Sequence, residues 1–181
     1  MLEAIVPDQV PTFPGKLFPV EHWYAVSVRS RFEKLVAHHL QQRSVNCFLP
    51  VYRSVRRWKD RRKVLEMALF PGYVFVNIDV RDRLGVLKAP GVLRFVTFQG
   101  QLTAVADSDI RALESTMSAG LRARPHPFLL DGRKVRVRSG PLLGVEGIII
   151  RRKERFRLVL SIELLMRSVM IELDEGDVEP V

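Results

Sequence analysis

Leu69-Phe70-Pro71-Gly72-Tyr73-Val74-Phe75-Val76 is the stretch on which the fold turns. Pro71-Gly72 marks a bend, and the nearly continuous apolar run from Tyr73 to Ile78 predicts a central strand packed on at least one face. Side chains alternate along a strand, so Tyr73 and Phe75 share one face while Val74 and Val76 occupy the other. One of these faces must be core. If Val74 and Val76 pack under helices, Tyr73, Phe75 and the neighbouring Phe70 form an aromatic surface that requires a partner to cover it. An ordinary aromatic core is the alternative, and alternation by itself does not separate the two.

Moving toward the N-terminus, Trp23-Tyr24-Ala25-Val26-Ser27-Val28 reads as a strand, and Arg31 to Arg43 sets Phe32, Leu35, Val36, His39 and Leu40 at helical spacing. Ser30 and Glu33 have the spacing of a capping box, and Ser44-Val45-Asn46 ends the helix without a glycine. Cys47 to Tyr52 predicts a second strand. Arg53 to Lys63 predicts an extended hairpin tip too charged to bury, and Val64 to Phe70 a third strand. Beyond the central strand come a short helix from Arg81 to Lys88, a turn at Pro90-Gly91, a strand from Val92 to Phe98 and a capped helix from Asp107 to Met117. The order β-α-β-β-β-α-β-α predicts an α+β module, one sheet with helices packed on it. Residues 1–21, with four prolines, read as an extended leader, 22–118 as this module and 119–128 as a linker. Residues 129–181 then offer five short strands, at 134–138, 145–151, 157–162, 168–173 and 177–181, turned by Gly140-Pro141, a charged hairpin at Arg152 to Arg155 and Glu175-Gly176. That pattern predicts a small closed or nearly closed barrel.

The net charge of +9 on 181 residues is concentrated. Residues 29–63 carry eleven Lys and Arg against Glu33 and Asp60, and residues 121–157 carry eleven against Asp131, Glu146 and Glu154. Two confined basic regions favour a polyanionic partner, since neutralising phosphates releases counterions. The absence of a membrane-length apolar run and of a signal segment leads to the expectation of a monomeric cytoplasmic protein without membrane attachment. Cys47 is the single cysteine and is expected to be a small buried hydrophobe. Gly140 to Gly144 lacks the Lys-Ser/Thr of a phosphate loop, and adjacent His38 and His39 diverge by about 100° on a helix. No nucleophile, base or metal-ligand set emerges, so neither an enzyme, nor a cofactor, nor a metal site is expected.

Gly132-Arg133-Lys134-Val135-Arg136-Val137-Arg138-Ser139-Gly140-Pro141-Leu142-Leu143-Gly144-Val145-Glu146-Gly147 alternates buried valines with basic residues, and its glycines allow sharp turns. It resembles a KOW motif, carried by Gly132, Val135, Val137, Gly140, Pro141, Gly144 and Gly147. Together with Trp23-Tyr24-Ala25-Val26, Phe70-Pro71-Gly72-Tyr73-Val74-Phe75-Val76 and Pro90-Gly91-Val92, the chain resembles the NusG family of transcription elongation factors over residues 22–181. Gln42 to Pro50 and Leu69-Phe70-Pro71 are more similar to RfaH and the specialised antiterminator paralogues than to housekeeping NusG.

The resemblance implies that the N-terminal module docks on the clamp helices of the large RNA polymerase subunit and suppresses pausing or termination. Phe70, Tyr73 and Phe75 would line the docking pocket, supported by Trp23 and Tyr24. Arg29 falls where RfaH-like proteins face the non-template DNA strand, although a solvated arginine is its plain alternative. Arg53, Arg56, Arg57, Lys59, Arg61, Arg62 and Lys63 would lie toward upstream DNA. The barrel would recruit a ribosomal protein or Rho. It is expected to hold its β form and to leave the docking face open, since β-branched residues and glycine resist a helical alternative. Arg81-Asp82-Arg83-Leu84-Gly85 stands where RfaH has a His-Thr-Thr run, which puts that second polymerase contact in doubt. A ribosome- or RNA-binding KOW protein is the alternative function.

Overall fold

The computed structural model describes residues 20–58, 61–129, 132–152, 155–173 and 177–181. Most of the expected leader, the Lys59-Asp60 tip, the turn residues Lys153 and Glu154 and the Glu175-Gly176 turn lie outside the described residues. Strand β1 (His22–Val28) is followed by helix α1 (Glu33–Gln42), β2 (Asn46–Phe48), β3 (Val51–Trp58), β4 (Arg61–Ala68) and β5 (Tyr73–Ile78). Next come a 3-10 turn at Val80–Asp82, α2 (Arg83–Leu87), β6 (Val92–Phe95), the short hairpin β7 (Thr97–Phe98) and β8 (Gln101–Leu102), and α3 (Asp107–Ser118). The last six strands are β9 (Ala123–His126), β10 (Arg133–Val137), β11 (Glu146–Arg152), β12 (Arg155–Ile162), β13 (Arg167–Leu173) and β14 (Val178–Pro180). The fold is α+β, as the alternation of elements predicts.

A four-stranded sheet, ordered β2-β5-β1-β6, forms the N-terminal centre, with β5 antiparallel to both β1 and β2. One face carries Tyr24, Val26, Val28, Val74, Val76 and Ile78 into a core with Val36, Ala37 and Leu40 of α1 and Val86 of α2. The other carries Ala25 and Phe75 into a second core with Ile110 and Leu113 of α3. Cys47 is half-buried at the margin of the first core, where burial raises its thiol pKa.

Three differences from the expected elements have local causes. The strand expected from Cys47 to Tyr52 is interrupted at Leu49-Pro50, because proline donates no ladder hydrogen bond. The basic stretch, by contrast, is the extended hairpin expected: β3 and β4 pair continuously from Val51↔Ala68 to Trp58↔Arg61 as a separate two-stranded ribbon. Finally, Ser30 does not cap α1. Arg31 adopts φ 67°, the helix starts from Phe32 with no side-chain cap, and Glu33 bonds elsewhere. The expected cap of α3 is likewise absent, since Ala106 occupies its N-cap position.

The C-terminal end of α1 compensates for its missing glycine. Ser44 takes φ 58°, its N–H reaches the Gln41 carbonyl and the Val45 N–H reaches the Leu40 carbonyl, which is a Schellman closure.

All five expected barrel strands are present, but the sheet has six members, ordered β14-β10-β11-β12-β13-β9. The extra strand arises from the span expected to be a linker, where Ala123 to His126 pairs with β13. The chain after it is clipped down: Leu129 donates its N–H to Ser168 Oγ at 3.1 Å and its carbonyl accepts from Ser161 Oγ at 2.7 Å. The barrel meets the N-terminal module at α3. Its interior residues Leu158, Leu160 and Ile171 join one core cluster with Ile110, Ala112 and Leu113 of α3. Two cavities of about 600 Å³ each flank this contact, and Asp109 lines both.

Two outcomes follow. Ser44→Gly removes the left-handed strain at the end of α1 and raises unfolding stability by about 0.5–1 kcal/mol in a denaturant titration. Asp109 is pushed up to about 6, first by burial and then by the charge of Glu163. An acid with a raised pKa holds its proton more tightly folded than unfolded, so stability falls as pH climbs from 3.8 to about 6 and the loss persists above that. Asp109→Asn therefore raises the unfolding free energy at pH 7.5 by about 1 kcal/mol given its partial exposure, read in a denaturant titration, and loses this advantage near pH 4.

Candidate functional site

The Phe70-Pro71-Gly72-Tyr73 bend is held from both sides. Gly72 takes φ +84°, which an L side chain rarely adopts, and its carbonyl accepts the Val28 N–H at 2.8 Å. Its own N–H donates to Glu33 Oε1 at 2.7 Å. The Tyr73 N–H closes the turn onto the Phe70 carbonyl at 3.1 Å. A parallel arrangement anchors the second Pro-Gly turn, where the Arg29 N–H reaches the Gly91 carbonyl at 2.9 Å. A Cβ on Gly91 would meet Val36 Cγ2 at 2.9 Å and Phe32 at 3.2 Å, so that turn sits hard against α1.

From the bend, an aromatic chain crosses the sheet. Phe70 packs edge-on to Phe75 at 5.6 Å, Phe75 stacks with Phe48 at 6.4 Å, and Phe48 meets Trp23 edge-on at 6.4 Å. Such pairs add roughly 0.5–1.5 kcal/mol each beyond area burial. Phe70 is 1% exposed and Phe75 fully buried, whereas Tyr73 and Trp23 are half-buried along the margin of this core. The aromatic surface expected from alternation is therefore largely closed over, and Tyr73 and Trp23 are its accessible members.

Tyr24 is not on this face. Adjacent residues of a strand point opposite ways, and Tyr24 packs edge-on against Phe95 at 6.1 Å in the core beneath α1 and α2. Trp23 alone supports the Tyr73 side. Phe48, which joins Trp23 to Phe75, was not singled out from sequence; only its pairing with Phe75 across β2 and β5 reveals it.

The basic ribbon rises from the same place. The Leu69 N–H bonds to the Pro50 carbonyl at 2.9 Å, Tyr52 packs at the edge of the aromatic core, and Leu69 is buried in it. Beyond this root Arg53, Arg61, Arg62 and Lys63 are exposed, as is Arg29 at the end of β1. The backbone ladder pairs Arg56 with Lys63 and Arg57 with Arg62. The side chains of Arg56 and Arg57 and the whole of Lys59 lie outside the described residues. Val55 and Val64, also paired, are 64% and 59% exposed. Glu66 is bound by Lys34 Nζ at 3.0 Å, and that partner lowers its carboxyl pKa.

At Arg81-Asp82-Arg83-Leu84-Gly85, Arg81 forks onto Asp79, with Nε at 2.9 Å and Nη2 at 2.6 Å from its two oxygens. This guanidinium, with the Arg81 N–H, holds the Asp79 carboxyl far below the usual range. The pairing spends Arg81 on local structure and leaves Arg83 exposed on the following helix.

In the barrel, Val135 and Val137 are buried and Lys134 and Arg136 exposed, the alternation expected of the KOW stretch. Gly140 and Gly144 take φ +78° and +81° around exposed Pro141, and the Gly144 N–H returns to the Val137 carbonyl at 2.8 Å. Gly147 crosses β12 so closely that a Cβ would lie 2.7 Å from the Val159 carbonyl oxygen. Gly132 combines φ +143° with an approach of 2.5 Å to Ile148 Cγ2, which likewise bars a side chain. Arg136 is paired with Glu146, while Arg133 and Lys134 of the same strand are exposed.

Comparison with known proteins agrees with this architecture. The family described as "Transcription termination factor nusG" matches residues 21–114. The NusG protein of Escherichia coli K12, a transcription termination/antitermination protein, is 27% identical over 175 residues, covering 89% of this chain and 97% of the relative. Its Helicobacter pylori counterpart is 27% identical over 172 residues, covering 88% and 98%. A solved structure described as "Domain interaction in Thermotoga maritima NusG" shares the fold at a TM-score of 0.56 and 22% identity, covering 90% of this chain and 98% of its own. The family match spans more than half of the chain, on the sheet that carries the Phe70-Pro71-Gly72-Tyr73 bend. The chain belongs to the NusG family.

Proposed function

We propose that this protein is a non-enzymatic transcription termination/antitermination factor of the cytoplasm. It works on the elongating RNA polymerase, docking through the Tyr73 side of its N-terminal sheet. The observation that carries this reading is the joining of an accessible aromatic edge, Tyr73 and Trp23 over a rigid Phe48-Phe75-Phe70 stack, to the root of a projecting basic ribbon. Aromatic anchors beside unbalanced positive charge suit a protein partner that itself holds nucleic acid. The clamp helices of the large polymerase subunit are the docking partner. Arg53, Arg61, Arg62, Lys63 and the ladder arginines lie toward upstream DNA, with Arg29 toward the non-template strand. Within the chain, residues 22–118 bind polymerase and residues 129–181, the KOW barrel, recruit a ribosomal protein or Rho. The Gln42 to Pro50 and Leu69-Phe70-Pro71 stretches favour a specialised, RfaH-like role over a general one.

The mechanism is steric and electrostatic. Docking contributes through burial of an aromatic anchor, and the ribbon adds a salt-dependent term by neutralising phosphates. Phe70 and Phe75 are unsuitable for testing the anchor, because truncating a fully buried Phe costs about 3–5 kcal/mol of stability on its own. Tyr73→Ala is the cleaner variant. It is expected to weaken binding to core polymerase at least tenfold with the fold intact by circular dichroism, and unchanged affinity sinks the docking reading. A triple Arg53→Glu, Arg61→Glu, Arg62→Glu variant is expected to flatten the salt dependence of binding to a transcription elongation complex. An unaltered slope against log salt concentration returns the ribbon to a merely solvated surface.

A further inference from the structure

Glu33 is 9% exposed, yet it is a carboxylate. Burying such a group is costly unless hydrogen bonds compensate, and its Oε1 accepts the Gly72 N–H at 2.7 Å across 39 residues of chain. The capping role its spacing suggests is not the one it fills, because the side chain turns away from the start of α1 to the bend. Its position in the first turn of α1 eases the burial, since the positive end of the helix dipole favours an anion there.

The neighbours of Glu33 give the bond its meaning. Lys34 holds Glu66 of the ribbon at 3.0 Å, and Phe32 abuts Gly91 of the second Pro-Gly turn. Three consecutive residues thus touch the aromatic bend, the basic ribbon and the turn beside Arg29. Gly72 has both of its backbone polar groups engaged, the N–H by Glu33 and the carbonyl by Val28. Its left-handed conformation is therefore fixed between α1 and β1. Losing Glu33 frees only one of these restraints, and it is the one that ties the bend to the helix and so to the ribbon.

We propose that Glu33 is a positioning residue for polymerase docking: its buried carboxylate sets the Phe70-Pro71-Gly72-Tyr73 bend, and with it Tyr73, in register with the basic ribbon. This rests on the reading of Tyr73 as the docking anchor. Three variants separate positioning from bulk stability. Glu33→Gln keeps an oxygen at the required reach, Glu33→Asp keeps the charge but is one methylene too short, and Glu33→Ala removes the acceptor. Val159→Ala, buried in strand β12 of the barrel and outside the core cluster that holds Phe70 and Phe75, serves as a destabilised control.

The measurements are the Gly72 amide resonance, the thermal midpoint and the dissociation constant for core RNA polymerase, all at a temperature where circular dichroism shows each variant folded. The expected result is a displaced Gly72 amide and at least tenfold weaker binding in Glu33→Asp and Glu33→Ala. Glu33→Gln is expected within about threefold of wild type, and Val159→Ala to bind normally despite a lowered midpoint. Wild-type affinity in Glu33→Asp and Glu33→Ala overturns the proposal, as does an equal loss in Val159→Ala or failure of Glu33→Gln to restore binding. If the wild-type chain itself does not bind polymerase, the docking reading falls first, and this assignment with it. The Gly72 resonance distinguishes that case by still reporting whether Glu33 holds the bend.

Discussion

Burial of β5 on both faces is the constraint from which the N-terminal structure follows. Val74, Val76 and Ile78 need cover on one side and Phe75 on the other, so a single layer of helices cannot suffice. Helices α1 and α2 take the first side and α3 the second, which places the sheet as the middle of three layers. A one-residue slip of register between β5 and β1 would exchange the two faces and set Tyr24 and Trp23 against the wrong layers. The close bends at Gly72 and Gly91 and the bonds from Val28 and Arg29 secure that register at one end of the sheet.

The same constraint governs the candidate site. A docking surface made of loose aromatics would lose side-chain entropy on binding, whereas the Phe48-Phe75-Phe70 stack is ordered before any partner arrives. Tyr73 and Trp23 then present their edges from a rigid base. The ribbon differs in kind: among the described residues its strands pair only with each other, and Arg53, Arg61, Arg62 and Lys63 are exposed. Shape is supplied by one part and long-range attraction by the other, and the first turn of α1 joins them.

What could be read from sequence divides according to range. The bend, the alternation of β5, the helical spacing of α1 and the turning glycines of the KOW stretch are local and emerge directly. The strand break at Leu49-Pro50 was also present in the proline itself. Glu33 misled because its local spacing matched a cap while its partner lay 39 residues away, and no local rule weighs such a competitor. Strand β9 was hidden for a similar reason. Ala-Arg-Pro-His has the composition of a linker, and only the free edge of β13 makes it a strand. The closure of α3 over Phe75 decided between core and surface, a choice that side-chain alternation leaves open.

Pairing of β9 also sets a length. Between the end of α3 at Ser118 and the start of β9 at Ala123 stand only residues 119–122, which can span at most about 14 Å when fully extended. While β9 remains zipped to β13, the first strand of the barrel sheet starts within that reach of the end of α3. Unzipping β9 would extend the tether from residues 119–122 to residues 119–128, up to the point where Leu129 is clipped down, so a four-residue strand sets how far the barrel can stand from α3.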